Sequence, residues 1–242
     1  MTARIYVGDE TRALCEGASY ALPAGAGRHV AQALRMRTGE PVVLFTGEGG
    51  EYEATIDAID RHEVVVHVDR HVAIERENAH PVTLVQAVIA ADMMDFVVRK
   101  AVELGVAAIV PVQAARSQRV PGERIAKRVA HWRQVAIAAC EQCGRNRIPP
   151  VADVVPLAQW LGSSKHADAV ILDASAAQSL AARAAREPTD AIVCGPEGGF
   201  TPEELAAASA RGIAAAHLGP RVLRAETAPL AALATLNAFL GK

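Results

Sequence analysis

Short β-branched apolar runs, separated by turn residues, dominate the first seventy positions of the chain. Residues 42–46 and 52–59 flank Gly47-Glu48-Gly49-Gly50, the signature of a β-hairpin, and 63–68 is a further β-branched run. One helix, 29–37, interrupts them, with Val30, Leu34 and Met36 on its apolar side. Residues 1–70 therefore read as a small β-barrel-like module, and the polar stretch 71–80, which ends before Pro81, reads as a linker. From Pro81 the pattern changes to alternating strands and helices. Strands are expected at 82–90, 107–112, 168–172, 190–194 and 213–218. Helices are expected at 93–104 (Asp92 as N-cap, Gly105 as stop), 123–143, 157–161, 179–186 and 228–240. Such alternation implies an α/β domain with a mostly parallel sheet covered by helices on both faces.

Two late segments carry the most information. Gly195-Pro196-Glu197-Gly198-Gly199-Phe200 follows a buried strand and leads into a helix that Thr201 caps, Pro202 starts and Glu204 closes with a capping box. A glycine-rich turn at that place exposes backbone N–H groups, as α/β proteins do when they hold a small polar ligand, although a tight structural turn would look the same. The second segment, Leu218-Gly219-Pro220-Arg221-Val222-Leu223-Arg224-Ala225-Glu226-Thr227-Ala228, repeats the strand-turn-helix plan and adds two arginines and a glutamate, which a merely structural turn does not need.

Composition narrows the class. The 242 residues are 51% hydrophobic and only 4% aromatic, no run is long and apolar enough to cross a membrane, and Met1-Thr2-Ala3-Arg4-Ile5-Tyr6 lacks the apolar core of a signal peptide, so the protein is expected in the cytoplasm. Of Cys15, Cys140, Cys143 and Cys194, only Cys140 and Cys143 have metal-like spacing, and no second pair completes a site; no metal is expected. The net charge of −2 argues against indiscriminate coating of nucleic acid. Between Arg99 and Arg147, however, ten basic residues face three acids, a local charge of +7 that leaves −9 for the rest. A phosphate groove or a solvated helix face would explain it equally. The dinucleotide and P-loop glycine fingerprints are missing, as are the zinc-protease and serine-hydrolase motifs, which weakens a dehydrogenase, an ATPase or a hydrolase.

Met94-Asp95-Phe96-Val97-Val98-Arg99-Lys100-Ala101-Val102-Glu103-Leu104-Gly105-Val106, Ala115-Arg116-Ser117, Glu141-Gln142-Cys143-Gly144-Arg145-Asn146 and the two late segments occur in an order that resembles the 16S ribosomal RNA uracil-N3 methyltransferases, the RsmE family. The resemblance covers essentially the whole chain. It implies a PUA-like RNA-binding β-barrel at 1–70 and a SPOUT methyltransferase domain at 81–242 whose parallel sheet carries a trefoil knot, a threading that sequence patterns alone do not reveal. It also implies S-adenosylmethionine as methyl donor, a homodimer with sites near the subunit interface, and 16S rRNA or the small ribosomal subunit as partner. By the same resemblance Gly195, Pro196, Glu197, Gly198, Gly199, Leu218, Gly219, Arg221, Leu223 and Arg224 form the cofactor turns, with Leu172 contributing from an earlier strand end. One departure is that Ala115 stands where the family often has an acidic residue.

Methylating N3 of a uridine requires removal of an imide proton and stabilisation of the charge left on O2 and O4, a task that suits guanidinium groups. Arg116, Arg145 and Arg224 are the candidates, with Asn146 positioning the base. Glu226 is the first candidate to take the proton and Glu197 the second, unless these carboxylates only pair with arginines or cap helices. Arg119 and Arg147 from the basic stretch, and Arg4, His29, Arg35 and Arg37 from the N-terminal module, are candidate RNA contacts; ordinary surface charge would explain the last four as well. Competing readings are a non-catalytic RNA-binding or assembly factor and a methyltransferase acting on another RNA base.

Overall fold

The computed structural model describes residues 2–8, 14–60, 63–119, 121–163 and 165–240, and it separates into two compact units. The first unit comprises Met1–Glu77 and Cys140–Ile148. Its five-stranded sheet has the order β1-β3-β4-β5-β2, with β1 at Ala3–Tyr6, β2 at Ser19–Ala21, β3 at Pro41–Phe45, β4 at Glu51–Ile59 and β5 at Val64–Val72. Only β1 and β3 pair in parallel; the rest is antiparallel. Ile5, Val42, Leu44, Ile56 and Val66 are buried on its inner face because strand side chains alternate between the two sides. The two edge strands are too short to show that alternation, which is why sequence patterning does not find them.

The helix of this unit differs from expectation. It begins earlier, as α1 at Ala24–Arg28, continues as a single π turn at His29–Ala33, and stops before Arg35, whose φ of +53° is left-handed. Two glycines in α1 disguise it as a loop in the sequence. Gly27 is buried against β5, where a Cβ would make only an ordinary contact with Val64 Cγ2 at 3.5 Å.

Arg4, Arg145 and Asn146, expected to meet RNA or substrate, are used inside this unit. Arg4 Nη1 donates to Glu51 Oε2 at 2.6 Å, and its Nη2 donates to Asn146 Oδ1. Arg76 Nη1 reaches the same Glu51 oxygen at 2.9 Å and Gly144 O at 2.8 Å. Arg145, 4% exposed, donates through Nε and Nη2 to Glu77, and Asn146, 0% exposed, donates to Ile74 O at 2.8 Å. This ion-pair network fastens Cys140–Ile148 to the first sheet. A buried guanidinium is tolerated only when its donors are taken by carboxylates, and those carboxylates come from β4 and the segment after β5. Burial also pushes the Cys140 thiol up to about 12, which keeps it protonated and unsuited to ligate a metal. Among the described residues no His, Cys, Asp or Glu cluster is placed to hold one.

The second unit comprises Asn78–Ala139 and Pro149–Lys242. Six parallel strands, β6 (Thr83–Ala87), β7 (Ala108–Gln113), β8 (Val155–Pro156), β9 (Ala169–Leu172), β10 (Ala191–Cys194) and β11 (Ala214–Ala216), form a sheet of order β11-β9-β10-β6-β7-β8. The helices are α2 (Ala91–Glu103), α3 (Gly122–Cys143), α4 (Leu157–Ser163), α5 (Leu180–Ala184), α6 (Pro202–Ser209) and α7 (Thr227–Leu240). One face of the central strands packs Val85, Ala87, Ile171 and Val193 against Trp160 and Leu161 of α4. Asp92 is not the N-cap of α2: Ala90 holds that position, and Asp92 lies in the first turn. Gly105, at φ +77°, ends the helix as expected, and Asn78 and Asn237 donate to its last carbonyl, Leu104 O, at 3.2 and 2.7 Å. No helix of the described residues is long and apolar enough to cross a membrane.

The network around Glu51 makes the first unit sensitive to acid. Burial alone would raise this carboxyl, but hydrogen bonds from Arg76, Arg4 and Asn146 outweigh it and hold the pKa at about 2 against an ordinary 4.5. A depressed carboxylate contributes stability that is complete above the unfolded-state value and is lost as pH falls through the folded-state value. Glu51→Gln is therefore expected to cost on the order of 2–3 kcal/mol at pH 7 and to flatten the stability profile between about pH 4.5 and 2. Urea unfolding at a series of pH values checks it; an unchanged acid limb would mean that Glu51 does not anchor this unit.

Candidate active site

Because all six strands of the second unit run the same way, their C-terminal ends share one edge, where open parallel sheets place ligands. Three turns on that edge, after β9, β10 and β11, enclose a cavity of about 560 Å³. Its size lies within the range of small-molecule sites.

The turn after β10 is compact because of its glycines. Gly199, at φ +66°, donates its N–H to Pro196 O at 2.8 Å, and a Cβ on Gly195 would lie 3.2 Å from the Phe200 ring. The capping box is present: Glu204 N–H donates to Thr201 Oγ1 at 3.2 Å, and Thr201 N–H donates to Glu204 Oε2 at 2.9 Å. The other Glu204 oxygen accepts the N–H of Ala115 at 2.7 Å, which ties the loop after β7 to the start of α6. The next residue, Arg116, then lies over the glycine turn and donates to Gly198 O at 2.8 Å. Glu197 points elsewhere; its Oε1 accepts the Ala90 N–H at 3.1 Å and caps α2 from a distance.

The turn after β11 is fixed by His217. Its N–H and C=O bond to Gln178 O and Leu180 N–H, each at 2.9 Å, and its ring Nδ1 accepts the Gly219 N–H at 2.9 Å. Gly219 sits at φ +103°, a conformation that L side chains rarely adopt. Arg224 O accepts the N–H groups of Thr227 and Ala228 at 3.0 Å, and α7 begins there. Arg221 and Arg224 are exposed and have no carboxylate partner among the described residues, and the Glu226 carboxylate makes no hydrogen bond among them.

Of the residues expected to contact a cofactor, Leu172, Gly195, Pro196, Glu197, Gly198, Gly199, Leu218, Arg221, Leu223 and Arg224 line this one cavity, together with Glu226. Gly219 does not line it but shapes its wall. Arg116 reaches the outer side of the glycine turn, and Arg145 and Asn146 belong to the network of the first unit. His29, Arg35, Arg37, Arg119 and Arg147 are exposed, Arg147 with Glu75 at 3.3 Å. Sequence reasoning missed Asp173, Ala216 and His217, while Val222, within the expected second turn, is 86% exposed on the cavity rim. Asp173 and His217 follow strands as Gly195 does, but nothing local indicates that β9 lies between β10 and β11. Apolar Leu172, Leu218 and Leu223 beside the carboxylates of Asp173, Glu197 and Glu226 suit a flat heterocycle joined to a cationic group.

Comparisons with known proteins agree with this geometry. A family model described as an RNA methyltransferase domain matches residues 76–237, and one described as an RNA methyltransferase PUA domain matches 22–69. The chain is 33% identical over 223 residues to the ribosomal RNA small subunit methyltransferase E of Mycobacterium tuberculosis, covering 89% of this chain and 85% of that protein. Among solved structures it is similar to the ribosomal RNA small subunit methyltransferase E from Neisseria gonorrhoeae bound to S-adenosyl methionine (34% identity, TM-score 0.90, 98% of both chains). It is also similar to a Legionella pneumophila chain in complex with the bound cofactor SAM (37% identity, TM-score 0.92, 98% of both chains).

Gly219 gives a test of the second turn that does not involve crowding, since a Cβ there meets nothing within 4 Å. Gly219→Ala is expected to strain the backbone by roughly 1–2 kcal/mol, to distort the wall that His217 holds, and to weaken cofactor binding about tenfold. Calorimetric titration measures the affinity; wild-type binding by the variant would show that this turn does not shape the site.

Proposed function

Because the chain belongs to the ribosomal RNA small subunit methyltransferase E family, we propose that it methylates N3 of a uridine in 16S rRNA, with S-adenosylmethionine held in the cavity of the second unit. The observation that carries this reading is the convergence of both glycine-bearing turns on one cavity, with Arg116 bonded across the first of them. Leu172, Leu218 and Leu223 would sandwich the adenine, the turn amides would meet polar edges, and Asp173 and Glu226 would complement positive charge on the cofactor. When bound, S-adenosylmethionine supplies an electrophilic methyl group on a sulfonium sulfur.

The residues of the chain account for the remaining requirements. Glu226, on the cavity wall with its carboxylate unengaged, takes the imide proton; Glu197 is the weaker candidate because one of its oxygens is already used to cap α2. Arg116 and Arg224 offer guanidinium donors to the charge that spreads onto O2 and O4 as the proton leaves. Arg145 and Asn146 act by holding Cys140–Ile148 in the first unit rather than by touching the base. His29, Arg35, Arg37, Arg119 and Arg147 are the proposed RNA contacts, with the first unit, which adds the segment to Glu77 and Cys140–Ile148 to residues 1–70, as the PUA-like binding module and the rest of 81–242 as catalytic domain.

A trefoil knot, a homodimer and a cytoplasmic location belong to the same reading. The sheet order supports the knot, since β10 enters between β6 and β9 after both have been laid down along the chain.

Arg116→Ala is expected to lower methyl transfer about 10²–10³-fold, and Glu226→Gln about 10²–10⁴-fold, with the fold intact. Transfer of labelled methyl to small-subunit rRNA, followed by mass mapping of the product nucleoside, measures both rate and position. Full turnover by either variant would remove that residue from the mechanism, and a methyl group on any atom other than uridine N3 would overturn the proposed specificity.

A further inference from the structure

The basic residues of α3 divide into two groups by their partners. From the third turn of the helix onward, His131 faces Asp95 at 2.8 Å and Arg133 faces Asp153 at 3.0 Å. In the first half, Arg124, Lys127 and Arg128 have no acidic partner among the described residues, and neither does Arg119 in the loop before them. Arg119, Arg124 and Lys127 are exposed, while Arg128 has a guanidinium nitrogen, Nη1, that is buried without a hydrogen-bond partner. A face built only for solubility has no reason to be neutralised at one end and bare at the other. Only Arg124 of these stands in the first turn, where a cation opposes the helix dipole and Glu123 beside it favours it.

The placement of this end is informative. Helix α3 starts from the C-terminal edge of the sheet, the edge that carries the cavity, and the loop leading to it begins with Arg116 on the Gly198 carbonyl. In the strand order β7 lies two places from β10, about 10 Å across the sheet. Arg124 and Lys127 follow within the first turns of α3, at about 1.5 Å of rise per residue.

We infer that Arg119, Arg124, Lys127 and Arg128 form a docking strip for the phosphate backbone of the RNA strand that flanks the target nucleotide. The strip begins beside the cavity and leads outward along α3, so a strand held there presents its next nucleotide to the turn that Arg116 crosses. Its guanidinium and ammonium groups contact phosphates rather than bases, which makes the strip a source of affinity and register, not of sequence choice. This inference rests on the methyltransferase reading above.

The test compares the full chain with the triple variant Arg124→Gln, Lys127→Gln, Arg128→Gln, and with Arg99→Gln as a control. Arg99 is another exposed, unpaired cation, but it lies about two turns into α2, away from the edge. Binding to small-subunit rRNA is measured across a salt series, S-adenosylmethionine affinity by calorimetry, and transfer kinetics at saturating cofactor. The triple variant is expected to keep its cofactor affinity within about twofold, to lose about 2 from the slope of log affinity against log salt at 0.7 per contact, and to raise KM for RNA more than it lowers kcat. Arg99→Gln is expected to leave the slope unchanged. An unchanged slope in the triple variant overturns the strip, as does an equal per-residue loss in Arg99→Gln, which would indicate diffuse attraction. Weaker binding to assembled subunits but not to naked rRNA also overturns it in favour of a protein contact. If the triple variant no longer binds cofactor, Lys127→Gln alone, with an expected slope loss of about 0.7, decides the question. A wild-type protein that binds RNA but transfers no methyl group sinks the enzymatic reading and leaves the salt slopes to judge the strip.

Discussion

The parallel direction of six strands is the constraint on which the second unit depends. It places every strand-to-helix turn on one edge, so residues far apart in the chain, at 172–174, 195–200 and 217–226, become the wall of a single cavity. Within that frame one carboxylate does most of the local ordering. Glu204 closes the capping box of α6 with one oxygen and grips the Ala115 backbone with the other, which brings Arg116 onto the glycine turn.

The two units use charge in opposite ways. In the first, Arg4, Arg76 and Arg145 are matched to Glu51 and Glu77, and the network fixes a late segment to an early sheet. A buried pair of this kind gains little net stability over an apolar replacement, but it is costly to break and therefore fixes one arrangement. In the second, Arg221, Arg224, Arg124, Lys127 and Arg128 have no carboxylate partner among the described residues, and their charge is available to a ligand.

Much of the site was legible because it consists of local signals. The capping box, the glycine turns and the apolar strands before them each occupy fewer than about ten residues, the range over which turn and cap chemistry is set by the sequence itself. The less legible features are those decided at a distance. Asp92 looked like the cap of α2 until Glu197, from a turn more than a hundred positions later, took the exposed N–H. Arg145 and Asn146 sat in a motif that suggested chemistry, and their burial depended on where β4 and the segment after β5 came to lie. His217 carried no local mark at all, since its role comes from accepting a hydrogen bond from the N–H of a glycine held at φ +103°.

The sequence by itself determined the class of the longer elements, the two-part organisation, the glycine turns and the family. Those properties follow from periodicity, capping and ordered motifs, all of which act over short separations. Tertiary structure alone decided the strand order that sets β9 beside β10 and β11, the pairing that buries Arg4 and Arg145, and the half of α3 left without carboxylates. Each of these depends on contacts between residues tens of positions apart, and charge or burial at such distances is a property of the folded neighbourhood rather than of any stretch of chain.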